Sequence, residues 1–124
     1  GKRMEPYLID RITDGQMNEL RTTQPRQAAE AVDENTAETI KNLMFASERS
    51  TFAYDGNGFA SKTGTAEHGE GLAPHVWYVA FDPEKDIAVG VVVKDGGHLG
   101  EGATGGQVSG PIGRAILRAY GGEQ

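Results

Sequence analysis

The chain has 124 residues, a net charge of −6 and no cysteine. This length suffices for one small hydrophobic core, and the lack of cysteine excludes a disulfide framework and thiolate catalysis. Nucleic-acid binding depends on dense positive charge, so the acidic balance predicts no nucleic-acid partner. No apolar run reaches the roughly 18 residues that a membrane-spanning helix needs.

The N-terminal part predicts a β-hairpin followed by a helix. Residues 3–12 (RMEPYLIDRI) have strand character, weakened toward an edge position by Pro6, and an Asp-Gly turn then leads into a return strand, MNELRT. Residues 23–31 are predicted to be irregular or loosely helical. A helix is predicted to begin near Asp33, which can cap it, and to fade over residues 46–49. The apolar side chains at helical spacing are Ala37, Ile40, Leu43 and Met44.

Three strands are predicted next, over residues 59–66, 75–81 and 87–93, the last two forming an antiparallel hairpin. Both faces of the segment HVWYVAF are apolar, so its strand is predicted to be central and covered on both sides, with Trp77 and Tyr78 in the core.

A Gly-rich loop follows, and then a final helix that Gly121 is predicted to stop. Gly110 and Gly113 would let this helix approach a sheet closely. The fold class is therefore α+β, an antiparallel sheet packed against helices. The predicted apolar stripe of the last helix consists of Val108, Ile112, Ala115, Ile116 and Ala119.

The stretch GNGFASKTGTAEHG invites two interpretations. A phosphate-binding loop needs Gly directly before its Lys, where this chain has Ser61, and a helix directly afterwards, where it has GTAEHGEG. That interpretation fails. The alternative is a Lys-Thr-Gly strand, Lys62-Thr63-Gly64, of the kind found in penicillin-interacting enzymes.

The surroundings of this tripeptide carry a family resemblance. ASKTGTAEHG, APHVWYVAFDP, IAVGVVVKDGG and GATGGQVSGPIGRAIL, together with RMEPYLID, resemble the C-terminal part of the transpeptidase domain of class B penicillin-binding proteins, actinobacterial members above all. The resemblance covers nearly the whole chain. It implies the serine β-lactamase and penicillin-binding-protein transpeptidase-like fold, with residues 1–124 as a single C-terminal fragment of that domain.

The family also uses a Ser-x-x-Lys motif, for the nucleophile and its base, and a Ser-x-Asn motif. None of the serines of this chain, Ser47, Ser50, Ser61 and Ser109, begins either motif. The resemblance therefore implies that the nucleophile belongs to an N-terminal remainder of the domain. The chain alone is predicted to be inactive and not acylated.

The resemblance assigns roles to one strand. Lys62 would support the hydrogen bonds of the cleft and attract the carboxylate of the substrate. Thr63 and Thr65 would hold that carboxylate, and the backbone N–H of Thr65 would be an oxyanion donor. Gly64 would let substrate pair with the strand edge. The alternative is an ordinary edge strand with a surface lysine.

No metal and no other cofactor is predicted. His68, His75 and His98, with Glu67 and Glu70, fit no compact ligand spacing and are interpreted as loop residues. Glu67 and His68 lie just past the predicted cleft wall, within reach of a substrate.

The implied function is part of a serine-type peptidoglycan D,D-transpeptidase that cross-links stem peptides and binds β-lactams. The implied location is outside the cytoplasmic membrane, in a protein anchored by a segment that this chain does not contain. Its partners would be stem peptides, β-lactams, the N-terminal remainder of the domain and, through an open sheet edge, other copies of the chain. The alternatives are a non-enzymatic α+β binding module and a fragment of a serine β-lactamase or D,D-carboxypeptidase.

Overall fold

The structure, a computed structural model, describes residues 1–120, so the predicted helix stop at Gly121 lies outside the described residues. The chain divides into two units, Gly1–Thr39 and Ile40–Gln124. The first unit holds four short strands, β1 (Lys2–Met4), β2 (Arg11–Thr13), β3 (Glu19–Thr22) and β4 (Gln27–Glu30).

The strands of the first unit form an interrupted antiparallel ribbon, in which β2 pairs with β3 and β1 pairs with β4. The first pairing confirms the predicted hairpin and its return strand. The second shows that the prediction of an irregular or helical segment over residues 23–31 was wrong. The sequence QAAE has no β-branched or aromatic residue, so β4 forms through its backbone partner and not through local propensity.

The predicted strand over residues 3–12 is also interrupted, because β1 ends at Met4 and β2 begins at Arg11. Pro6 has no N–H to offer a ladder. Two backbone bonds flank the gap: Glu5 N donates to Arg26 O at 2.8 Å, and Thr23 N donates to Asp10 O at 2.7 Å. The prediction of one continuous strand was therefore wrong. The interruption includes Pro6, the residue that had already weakened the predicted strand.

Helix α1 (Glu34–Ser50) begins where the sequence predicts and extends one residue beyond the predicted fading region. Asp33 caps it, since its Oδ1 accepts the backbone N–H of Thr36 at 2.9 Å. Its apolar spacing did not identify its buried face. Leu43 is 64% exposed, whereas the fully buried residue of this helix is Glu48.

The second unit holds an antiparallel sheet of β5 (Ala60–Ala66), β6 (His75–Asp82) and β7 (Ile87–Val93), in the order β5-β6-β7. The predicted hairpin and the central position of β6 are confirmed. One face of β6 is buried through Val76 and Tyr78, but Trp77 and Val79 on the other face are 43% and 44% exposed. Coverage on both sides, and a core position for Trp77, were therefore wrong predictions, whereas the core position of Tyr78 is confirmed.

After β7 come a 3₁₀ segment, Lys94–Gly102, and helix α2 (Ser109–Tyr120). Of the predicted stripe of α2, Val108 is buried, but Ile112 is 44% and Ile116 45% exposed. Ala115 and Ala119 are exposed as well, so the predicted buried face was wrong. The face that is buried consists of Ser109, Gly110, Gly113, Arg114 and Leu117.

The buried face of α2 is the one that packs against the ring of Tyr78. A Cβ on Gly113 would lie 2.4 Å from Tyr78 Cδ1, so only glycine lets the helix rest on this ring. The close approach predicted from the glycines is confirmed, and Leu117 completes a core with Tyr78, Phe59 and Ala80. Together, the sheet and its helix confirm the α+β class. No helix among residues 1–120 is both long and apolar enough to cross a membrane.

Candidate active-site strand

The Lys-Thr-Gly sequence lies on β5, an edge strand whose pairing, among the described residues, is with β6 alone. Lys62 and Thr65 are exposed, and Thr63 and Gly64 are half-buried. An edge strand presents unpaired backbone N–H and C=O groups along its free side. The free side of β5 therefore presents main-chain groups of the kind with which a further strand pairs.

The side chains of β5 alternate between the two faces of the sheet. Thr63 is opposite Tyr78 and Thr65 opposite Val76, so both hydroxyls lie on the face that α2 covers. Lys62 is opposite Val79, on the face that carries exposed Trp77. The Lys62 Nζ donates to the backbone oxygen of Thr63 at 2.5 Å.

Two glycines differ in what they do for this strand. A Cβ on Gly64 would meet Trp77 Cβ at 3.4 Å, an ordinary van der Waals contact, so the sheet itself does not require glycine there. A Cβ on Gly105 would lie 2.3 Å from Trp77 O and 2.9 Å from Gly64 O. The loop before α2 therefore lies backbone to backbone against the Lys-Thr-Gly strand.

A groove of about 440 Å³ adjoins the end of β5, with Thr65 and Thr104 in its wall. Glu67, Glu70 and Glu101 also line it. Glu67 thus lies beside Thr65, as its place in the sequence suggests, and the groove has an acidic wall.

Beneath β5 lies a buried polar cluster centred on Glu48, which sequence reasoning missed. Its carboxylate accepts hydrogen bonds from Arg114 Nε at 2.6 Å, Tyr78 OH at 2.9 Å, Asn57 Nδ2 at 2.9 Å and the hydroxyl of Ser61. Ser61 directly precedes Lys62, so the cluster joins α1 and α2 to the start of the Lys-Thr-Gly sequence. No local signal separates Glu48 from a solvated glutamate near a helix end.

The cluster is ionic. Burial alone would raise the pKa of Glu48, but the hydrogen bonds from Arg114 first, and then from Ser61, Asn57 and Tyr78, outweigh burial and hold its pKa below the ordinary value of 4.5. Burial first, and then the negative charge of Glu48, raise the pKa of Tyr78 to about 12. The buried carboxylate therefore stays charged, and the phenol beside it stays protonated.

The fold also brings together side chains that are far apart in sequence. His68, His75 and Asp95 each place one potential ligand atom within 4.8 Å of the others. His98, the remaining histidine of the chain, is not part of this cluster.

Comparison with known proteins agrees with this geometry. Residues 1–118 match the family described as penicillin binding protein transpeptidase domain. Over 96% of its length the chain is 43% identical to the peptidoglycan D,D-transpeptidase PbpA of Mycolicibacterium smegmatis. The structure superposes with a TM-score of 0.86 on penicillin-binding protein A of M. tuberculosis in its ceftriaxone acyl-enzyme complex, at 38% identity and 97% coverage of this chain. The penicillin G acyl-enzyme complex of that protein matches with a TM-score of 0.78, at 36% identity over 96% of this chain.

The chain belongs to the penicillin-binding-protein transpeptidase domain family, as a piece of a class B transpeptidase domain. It spans 26% of the length of the M. smegmatis relative and 28% of each of the two solved chains.

Proposed function

We propose that this chain forms one wall of the active-site cleft of a peptidoglycan D,D-transpeptidase that β-lactams acylate. The whole enzyme would act outside the cytoplasmic membrane on peptidoglycan stem peptides, with its serine nucleophile supplied by another part of the domain. The observation that carries the proposal is the free edge of β5, which presents the sequence Lys62-Thr63-Gly64-Thr65.

The chemistry of acyl transfer suits this edge. A tetrahedral intermediate carries a developing negative charge, which backbone N–H groups and fixed cations stabilise. A free strand edge can offer an N–H, at Thr65 in the proposed role, and Lys62 adds a positive charge beside it. An acyl donor that is itself an extended peptide would pair with the same edge.

Gly64 gives the proposal a specific test, because the sheet has room for a methyl group at this position. If a ligand must approach the strand closely at Gly64, Gly64→Ala should slow acylation and leave stability unchanged. Lys62→Gln should slow acylation by about 100-fold, the scale of losing one stabilising group at an acyl-transfer site.

The assay is the second-order rate of labelling of the full-length protein by a fluorescent penicillin, with thermal unfolding measured in parallel. Lys94→Gln is the matched control, since it removes a lysine charge just after β7, two strands away from β5. The isolated chain, without Ser-x-x-Lys, is the unlabelled control. Wild-type labelling rates in both Lys62→Gln and Gly64→Ala would overturn the proposal.

A further inference from the structure

We propose that His68, His75 and Asp95 form a binding site for a divalent transition-metal ion, Zn²⁺ being the best match, at the end of the sheet next to the Lys-Thr-Gly strand. The site does not depend on the proposed transpeptidase role. It differs from the expectation drawn from sequence, where the spacing of the histidines indicated no metal.

The three side chains come from separate segments that meet at one end of the sheet. His68 follows the end of β5, His75 is the first residue of β6, and Asp95 follows the end of β7. In a β5-β6-β7 antiparallel sheet these three points lie at the same end of the sheet. The spacing of these residues along the sequence could not reveal the three ligands, because Asp95 comes close to the two histidines only when the sheet forms.

The two distances from the carboxylate of Asp95 fit a shared ion better than direct hydrogen bonds, and the three ligand atoms lie within 4.8 Å of one another. Asp95 Oδ1 lies 3.5 Å from His68 Nε2 and 3.5 Å from His75 Nδ1. Good N–H···O hydrogen bonds are shorter, at about 2.7–3.2 Å. Two ligand atoms on a tetrahedral Zn²⁺ with bonds of about 2.1 Å are roughly 3.4 Å apart. The carboxylate oxygen thus has the spacing from each imidazole that a common ion would impose.

The local structure brings these groups close together before any ion arrives. The two imidazole rings have centroids 4.0 Å apart and planes inclined by 31°, so they are partly stacked and would have to swing apart for both to point a nitrogen at one ion. The backbone of Asp95 is left-handed, with φ 53°, a conformation that Asp adopts more readily than most residues. Its N–H donates to His75 Nδ1 at 3.1 Å, so an ion bound by that nitrogen would replace this hydrogen bond. The local costs of binding are the exchange of this hydrogen bond and the separation of the two rings.

The ligand set and its exposure define the kind of site. Two imidazoles and one carboxylate are a typical zinc set that leaves a fourth position for water or another ligand. The side chains of His68 and His75 are 33% and 27% exposed, and that of Asp95 is 65% exposed. An ion here would therefore exchange with solvent, and it would fasten the loop after β5 to the end of β7.

The test is a titration of the metal-stripped full-length protein with Co²⁺, a spectroscopic substitute for Zn²⁺. We expect a saturable visible absorption band at one equivalent, which added Zn²⁺ removes. His68→Gln and Asp95→Asn should each weaken binding by at least about tenfold, the lower end of what even an outer partner of a metal ligand contributes. Zn²⁺ should raise the thermal midpoint of the wild type but not of these variants.

His98→Gln is the matched control, since it removes an exposed histidine from the nearby 3₁₀ segment and leaves the three proposed ligands intact. It should bind Co²⁺ as the wild type does. The wild type measures the site without any substitution, so a folding defect in a variant cannot hide the answer. A wild type without a saturable band, or equal losses in His98→Gln and His68→Gln, would overturn the site.

Discussion

Replacing Glu48 by Gln tests whether the polar cluster beneath β5 holds the second unit together. The substitution keeps the volume and one oxygen acceptor and removes the charge. It leaves Arg114, whose side chain is 3% exposed, as a buried cation without a counter-charge. The guanidinium is otherwise held by the backbone oxygens of Phe52 and Ala53, at 3.0 and 3.1 Å from its Nη1.

The expected loss is large because the pair is buried and close. The Arg114 Nε and Glu48 Oε1 atoms are 2.6 Å apart, and breaking a buried pair from one side typically costs about 3–5 kcal/mol. Against a total stability of about 5–15 kcal/mol, this is a substantial share. With a urea slope of about 2 kcal/mol per M, typical of a small protein, the midpoint would fall by roughly 2 M, and by less in a larger protein with a steeper slope.

The assay is urea unfolding of the full-length protein, followed by tryptophan fluorescence and circular dichroism. Glu84→Gln is the control, an exposed glutamate in the turn between β6 and β7, and should change stability by no more than about 0.5 kcal/mol. The double variant Glu48→Gln/Arg114→Met should be more stable than Glu48→Gln alone, because it leaves no buried charge unpaired.

A loss below about 1 kcal/mol in Glu48→Gln would show that the arginine finds water or another partner. It would contradict the expectation that Arg114 becomes a buried charge without a partner. Arg114→Met alone completes the double-mutant cycle. If the losses of the two single variants add up to the loss of the double variant, Glu48 and Arg114 are not coupled.

Two further predictions concern Tyr78. Gly113→Ala should destabilise the protein by about 1–3 kcal/mol in the same urea assay, since its methyl would overlap the fully buried ring of Tyr78; unchanged stability would contradict the packing of α2. Because the pKa of Tyr78 is raised to about 12 in the folded state, its contribution is present below the ordinary value near 10 and is lost as pH rises from 10 towards 12. The thermal midpoint should fall over that range, and less steeply in Tyr78→Phe; equal slopes in the two proteins would refute the assignment.

The strand and hairpin of the second unit were predictable because their signals are local. The apolar runs at 75–81 and 87–93 fix two strands and the short turn between them. The Lys-Thr-Gly sequence before them then falls on the next strand of the same sheet. The α1 cap was predictable for the same reason, since Asp33 and the N–H that it accepts are three residues apart.

Features that depend on distant partners were not predictable. Hydrophobicity identified Ile112 and Ile116 as an apolar face of α2, but this face is exposed in the structure. The residues of α2 that pack against Tyr78 are instead glycines and an arginine. β4 depends on its pairing with β1, and the charge of Glu48 depends on Arg114, 66 positions away. Each of these facts becomes visible only once the chain has folded back on itself.

The buried Glu48 also fixes the position of α1 along the helix axis. A one-turn slide of α1 would remove the carboxylate of Glu48 from the four side chains that donate hydrogen bonds to it. One turn before or after Glu48 the helix offers Met44 or leads to Phe52, and neither has a carboxylate to balance the charge of Arg114. The hydrogen bonds of Glu48 therefore fix the position of the helix along its own axis. The hydroxyl of Ser61 donates to the same carboxylate, so the start of the Lys-Thr-Gly strand is positioned relative to the helix as well.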